Sequence, residues 1–381
     1  MADYQTEALA LLQQIMAVPT VGTDESLVAD IIEDYLAPLL KAGVLTTSRV
    51  NFAPHRDNLI VRYGDGDAHL LGLTGHMDVV TAGDETQWAH APFAGTVVDG
   101  RLYGRGATDM KAGLAAMVVA LKRRAMEEPH PAHPVVLFAT VGEEVDNYGA
   151  RQLAAAGYAD HLDALLVGEP TGAVIKPAQR GIIDYTVTAK GKAAHSSQPE
   201  LGANAIDGLV AFHQAVGAAV APLLAHSDPL LGHPTHSITL IQGGAQVNII
   251  PEAASLRGNI RTIPAAGNEQ FKAALEAAVH AVDIPGVDLS LSVDSTLVPV
   301  GTPADNVLVQ ALQAARTANG LEAASVTGDT GITDAALMCR PGTALAIYGP
   351  GNDTSHQTDE FVELTDFNEA LAVYGSLLAN W

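Results

Sequence analysis

Five short apolar segments each run into a glycine-bearing turn that carries an acidic residue or a histidine. They are A-H-L-L-G-L-T-G-H-M-D (68–78), L-Y-G-R-G-A-T-D-M-K (102–111), V-V-L-F-A-T-V-G-E-E (135–144), A-L-L-V-G-E-P-T (164–171) and A-L-A-I-Y-G-P-G-N-D-T-S-H (344–356). Apolar runs of this length between turn signals read as buried strands. In open α/β sheets, ligands collect in the crevice beyond the carboxyl ends of the strands. The turns would then offer His76, Asp109, Glu143, Glu144, Glu169 and His356 at one sheet edge. A donor set of nitrogen and oxygen without thiolate suits a divalent cation.

A chain of 381 residues exceeds the ~250–300 residues that one hydrophobic core usually organises, so two domains are expected. The formal net charge of -23 argues against a nucleic-acid partner, which needs a basic face. It also means that an anionic substrate would need local basic residues. No apolar run reaches the ~18 residues of a membrane span. The first residues, Met-Ala-Asp-Tyr-Gln-Thr-Glu, lack the basic-then-apolar order of a signal peptide. The single cysteine, Cys339, excludes an intrachain disulfide framework and reads as a small buried thiol. These features predict a soluble cytoplasmic protein without a membrane partner.

Helical periodicity marks residues 5–17 and 25–40, and strands are predicted at 58–62 and 69–74. Asp99-Gly100 between 96–98 and 101–103 suits a type I′ hairpin turn. A helix from about Ala112 to Arg124 follows, with Leu114, Met117, Val118 and Leu121 on one stripe. Strand, acidic turn and helix alternate up to Pro170, as in a doubly wound α/β sheet. Near Lys176-Pro177 the rhythm changes. Strands at 181–189, 237–242, 254–262 and 288–293, with helices opening at Asn204 and Asn268, give the order β-α-β-β-α-β of ferredoxin-like domains. The α/β rhythm returns after Pro299, with a helix at 306–319, a strand ending at Tyr348 and a helix near 366–378. The expected division is a catalytic domain of 1–177 and 295–381, interrupted by a small domain of 178–294.

Asp78, two residues after His76, could hydrogen-bond the ring nitrogen that faces away from a metal. Asp109 sits immediately before a helix, where capping is the competing reading. Glu143 and Glu144 would repel each other at a sheet end unless a positive charge lies there. In extended chain neighbouring side chains point opposite ways, so one could ligate a metal while the other faces the attacking water. Glu169 follows a buried strand, with Pro170 stiffening the turn. His356 ends a long loop and is weak by itself. The other histidines, His195 apart, lie in polar loops or on helix faces; His130 and His133 could mimic a metal pair, but they fall in a connection at the opposite end of the sheet. Independent structural roles would not place all six donors at one edge.

With these motifs in this order, the chain resembles the metal-dependent deacylase family that includes succinyl-diaminopimelate desuccinylase and acetylornithine deacetylase. More distant members are aminoacylases, carboxypeptidase G and several dipeptidases. The resemblance rests on Gly-His-Met-Asp-Val-Val (75–80), Gly-Arg-Gly-Ala-Thr-Asp-Met-Lys (104–111), Gly-Glu-Glu (142–144), Gly-Glu-Pro-Thr (168–171), Ala-His-Ser-Ser-Gln-Pro (194–199), Asn-Ile-Arg-Thr-Ile-Pro (259–264) and His-Gln-Thr-Asp-Glu (356–360). It implies a zinc-peptidase-like catalytic domain with an inserted lid and dimerisation domain. It further implies two divalent metal ions bridged by Asp109, with His76 and Glu169 on one and Glu144 and His356 on the other. Zinc is expected, with cobalt or manganese as substitutes. Glu143 would be the general base on the bridging water, Asp78 would count among the catalytic residues behind His76, and the Asp109–Met110 peptide would be cis. His195 would match a lid histidine that reaches the partner subunit's site in a homodimer.

The substrate implied is a small anionic N-acyl amino acid. Arg180, Asn248 and Arg261 match lid positions that bind substrate carboxylate or carbonyl groups, although each arginine could equally form a surface ion pair. The loop Thr330-Gly331-Ile332-Thr333-Asp334 departs from the Gly-Gly-Thr-Ser-Asp pattern of the desuccinylases, and residues 349–356 look more like acetylornithine deacetylase. Desuccinylase leads and deacetylase follows. A dipeptidase or carboxypeptidase, and an inactive binding protein on a peptidase fold, are the readings from other classes.

Overall fold

The computed structural model describes the chain from Ala2 onward, with side chains from Tyr4. It divides into two compact units: Met1–Ala178, Thr302–Thr327 and Thr333–Trp381 form the first, and Gln179–Gly301 with Gly328–Ile332 the second.

The first unit opens with helices α1 (Ala2–Met16) and α2 (Glu25–Lys41) and strands β1 (Leu45–Ala53), β2 (Arg56–Tyr63) and β3 (Leu71–His76). The predicted hairpin forms as β4 (Thr96–Val98) and β5 (Arg101–Tyr103), with Asp99 at φ 49° and Gly100 at φ 81°, the left-handed pair a type I′ turn needs. Helix α3 (Lys111–Glu127), β6 (Val135–Thr140), α4 (Glu143–Asp146), α5 (Tyr148–Ala155), β7 (Ala164–Val167) and β8 (Ile175–Gln179) follow. Strand β1 carries no predicted element, because its burial is mixed and its polar residues give no clean period.

The sheet order is β1-β2-β6-β3-β7, continuing through a strand near the C-terminus (Ala344–Ile347) to β8. Its centre is parallel: β3 pairs with β6 and with β7, and the Ala344–Ile347 strand pairs with β7 in the same sense. The margins β1, β2 and β8 run antiparallel. Every residue of β3, β6 and β7 is buried, which is why these strands read as unbroken apolar runs. Helix α3 is buried along most of its length, so it lacks the polar face of a surface helix. Gly113 at its start has a packing reason, since a Cβ there would lie 2.0 Å from the carbonyl oxygen of Gly168.

The second unit contains β9 (Gly181–Lys190), β10 (Ala194–His195), α6 (Ala205–Leu224), β11 (Thr235–Gly243), β12 (Ile249–Ile250), β13 (Ala253–Thr262), α7 (Asn268–His280) and β14 (Asp288–Leu297). Its antiparallel sheet has the order β11-β13-β9-β14, the ferredoxin-like arrangement that β-α-β-β-α-β implies. Because β14 runs on to Leu297, the unit extends past residue 294. Helix α6 is long and apolar enough to cross a membrane by length and composition. Its buried residues, among them Leu209, Phe212, Val216 and Val220, instead form the face that packs on α7, β9 and β13.

Short strands β15 (Val300–Gly301) and β16 (Val326–Asp329) flank α8 (Val307–Ala318), whose first amides are capped by Asn306. Helix α9 (Ala335–Met338), β17 (Ala344–Ile347), β18 (Phe361–Glu363) and α10 (Leu364–Asn380) complete the first unit.

Candidate metal centre

Parallel pairing is what assembles the site. His76 ends β3 directly beside Thr140, the last residue of β6. Thr74 is level with Val167 at the end of β7, and Val167 is level with Ile347 at the end of β17. The four carboxyl ends therefore share one edge, and the turns that leave them carry His76, Glu143 with Glu144, Glu169 and His356. Asp109 comes from the loop between β5 and α3, where the Asp109–Met110 peptide is cis.

Asp109 stands between the two histidines. Its Oδ1 is 3.2 Å from His76 Nε2, and its Oδ2 is 3.4 Å from His356 Nε2. Each histidine faces one further carboxylate: Glu169 Oε1 lies 3.5 Å from His76 Nε2, and Glu144 Oε2 lies 2.9 Å from His356 Nε2. Ligand atoms of His76, Asp109 and Glu144, and likewise of His76, Glu143 and Glu169, lie within 4.8 Å of one another.

The electrostatics of this cluster are those of a site short of positive charge. Burial raises the pKa of Glu143 and of Glu169 well above the usual carboxylate range, and the neighbouring carboxylates push the same way against the opposing pull of His76. Burial opposes charge on His76, yet Glu169 and then Asp109 hold its pKa well above the ordinary value. His356, hydrogen-bonded to Asp109 and Glu144, is raised to about 10. Asp109 is lowered, because hydrogen bonds from His356 and His76 outweigh its burial. Glu144 Oε1 is buried without a hydrogen-bond partner. Desolvated carboxylates and an orphaned oxygen among two imidazoles fit divalent cations.

Two sequence expectations are corrected here. Glu143 and Glu144 do not lie in extended chain: they open the single turn of α4, preceded by Gly142 at φ 69°. Asp78 does not bond the His76 ring through its carboxylate, whose Oδ1 is 3.8 Å away; its main-chain carbonyl contacts His76 Nδ1 at 2.9 Å. The carboxylate is engaged elsewhere, accepting the N–H of Glu143 (3.2 Å) and of Glu144 (3.1 Å). These are orphan donors at a helix start, which attract an anion. Asp78 therefore anchors the acidic turn.

Three further buried residues had no predicted role. Glu360 Oε1 accepts the N–H of Thr108 (2.8 Å) and Asp109 (3.0 Å), while Oε2 accepts from Arg105. Asn147 and Asp334 link to Glu143 in a chain of hydrogen bonds. Asp334 ends the 330–334 loop and Glu360 the 356–360 motif, but neither pattern named a role for them, and the sequence around Asn147 gave no signal beyond a turn.

The remaining predicted site residues belong to the second unit. His195 lies on β10 and is exposed. Its Nδ1 accepts the N–H of Ser197 at 3.1 Å, which in the neutral ring leaves the proton on Nε2. The carbonyl of Asn248 accepts the N–H of Ser196. Arg261 is half-buried on β13, level with Thr235 and Ile182. Arg180 donates from Nε (3.1 Å) and Nη2 (2.6 Å) to the carbonyl of Leu231, so part of its fork holds a loop.

The chain is also similar to known proteins in sequence and in fold. The sequence profile described as peptidase family M20/M25/M40 matches residues 72–380. A probable succinyl-diaminopimelate desuccinylase of Staphylococcus epidermidis is 34% identical over 398 residues, covering 97% of this chain and 96% of the relative. A succinyl-diaminopimelate desuccinylase of Delftia acidovorans is 31% identical, with 97% and 96% coverage. Among solved structures, an M20 family metallo-carboxypeptidase from Sulfolobus solfataricus superposes with a TM-score of 0.78 at 16% identity, covering 97% of this chain and 98% of that one. A dinuclear metal binding peptidase of the same family from Bacillus subtilis gives a TM-score of 0.70 at 16% identity, with 100% and 98% coverage.

Proposed function

This chain belongs to peptidase family M20/M25/M40, and on that premise we propose that it hydrolyses N-succinyl-diaminopimelate, releasing succinate and the free amine. It is a metal-dependent amidohydrolase of this family. The observation that carries the metal assignment is Asp109, whose two carboxylate oxygens each face a different histidine backed by a different glutamate.

We assign His76, Asp109 and Glu169 to one divalent ion, and Asp109, Glu144 and His356 to a second. Zinc suits these donors, with cobalt or manganese as substitutes. Ions bound there would polarise the amide carbonyl and make water a stronger acid. Glu143 removes the proton of the attacking water and returns it to the departing amine. Its desolvated setting suits the second half of that task, since burial favours the protonated carboxyl that must later donate. Asp78, by receiving the amides of Glu143 and Glu144, keeps the base and its neighbouring ligand on one rigid turn. His195, with a proton on Nε2, is assigned to donate to the developing oxyanion. Arg261 is assigned to the acyl carboxylate, for which a guanidinium fork is suited. A homodimer in which His195 serves the partner's site completes the proposal.

The test is a panel of N-succinyl and N-acetyl amino acids, with dipeptides alongside, assayed on zinc- or cobalt-loaded protein. Preference for succinyl-diaminopimelate supports the reading. Preference for acetylated ornithine or for dipeptides would overturn the substrate while leaving the family chemistry in place.

A further inference from the structure

The carboxylate of Glu143 is tethered through one of its oxygens. Its Oε1 accepts from the side-chain amide of Asn147 at 3.1 Å. The same nitrogen donates to Asp334 Oδ1 at 3.0 Å, and Asp334 Oδ2 accepts from the hydroxyl of Thr140 at 2.6 Å. Thr140, Asn147 and Asp334 are 0%, 4% and 3% exposed, so water does not compete for these bonds. The two protons of one amide nitrogen are thus divided between two carboxylates, and Asp334 dictates which way the amide points. The backbone holds the bridge in place. Asn147 adopts a left-handed conformation at φ 50° between α4 and α5, one that asparagine tolerates better than most residues.

We infer that Asn147, oriented by the buried Asp334, is a positioning residue that fixes which oxygen of Glu143 faces the reacting water. This rests on the assignment of Glu143 as the base. Asn147 touches neither histidine of the centre through these bonds, and acts through Glu143. One oxygen of the base is occupied by the amide, so Oε2 is the one left to exchange the proton. A base that swings loses alignment, and misplacement by about 1 Å can cost ~10²-fold in rate.

The experiment is a double-mutant cycle on the metal-loaded enzyme. Asn147→Gly keeps the left-handed backbone accessible while deleting the bridge. It should lower kcat by about 10²-fold with KM and metal content unchanged. In a Glu143→Gln background the same change should cost nothing further, because there is no base left to align. Asp334→Asn, whose amide oxygen can still accept from Asn147, should retain most of the activity that Asp334→Leu loses. That pair answers the question even if Asn147→Gly folds poorly. Unchanged kcat in Asn147→Gly, or an equal loss in both backgrounds, would overturn the positioning role while Glu143 stands as the base. Near-normal turnover of Glu143→Gln alone would instead overturn the base assignment, and the inference with it.

Discussion

The candidate metal centre in the first unit and the proposed substrate-contacting residues in the second are built by opposite means. His76, Asp109, Glu143, Glu144 and Glu169 sit at the ends of buried parallel strands or in loops tied by Asp78, Glu360 and Asn147. His195 sits on a two-residue strand, exposed, with Ser197 hydrogen-bonded to its ring. Chemistry that requires several carboxylates in one place needs a scaffold stiff enough to resist their repulsion. A residue that meets substrate needs reach more than rigidity. The first kind of site should fail when its frame is disturbed, and the second should fail only when its own side chain is removed.

Among the proposed substrate-contacting residues, the largest effect should come from His195→Ala. If it stabilises the oxyanion, turnover should fall by about 10²–10³ while metal content and thermal stability stay as in the parent. Mixing this variant with Glu143→Gln under subunit exchange should restore activity if His195 acts on a partner's site, since one site then carries both native residues. No recovery despite proven exchange would refute that assignment.

Disturbing the frame is the complementary change. Gly113→Ala places a Cβ against the Gly168 carbonyl, beside the turn that presents Glu169. Overpacking of this kind costs ~1–3 kcal/mol, so unfolding should occur at a lower temperature and metal retention should weaken. A variant as stable as the parent would mean that the α3 approach is looser than the contact implies.

The smallest effect concerns pH. In the metal-free protein the His356 pKa is raised to about 10 by its hydrogen bonds to Asp109 and Glu144, against an ordinary value of ~6.5. A raised folded-state pKa gives stabilisation that is complete below ~6.5 and lost as pH climbs through about 10. The Tm difference between parent and His356→Ala, both metal-free, should shrink across that window. The imidazole is half exposed, so the difference will be modest. Metal binding near pH 7 should also release protons, since these ligands must be deprotonated to bind. A Tm gap that grows with pH would contradict the charge state assigned to the cluster.

The contrast also explains what could be read from the sequence. The convergence of His76, Glu143, Glu144 and Glu169 at one sheet edge was legible, because each is reached from an unbroken apolar strand and parallel pairing brings the strand ends together. The ferredoxin-like order of the second unit was legible from its alternation of strands and helices. The role of Asp78 was not, because local spacing suggested the His76 ring and gave no hint that residues 65 and 66 positions away would offer free amides. Asn147 and Asp334 are 187 positions apart and meet only through the folded sheet. Glu360 reaches Thr108 across 252 positions. A polar residue beside an apolar run has many local explanations, and only tertiary packing selects one.

The central claim is that Asp109 joins two cation sites, and metal counting tests it most directly. Protein stripped with chelator, reloaded with zinc and freed of excess should hold about two ions per chain. His356→Ala should hold about one, and Asp109→Ala should lose both at the same free zinc concentration. Failure of the parent chain to retain any divalent ion, or full retention by Asp109→Ala, would contradict the account.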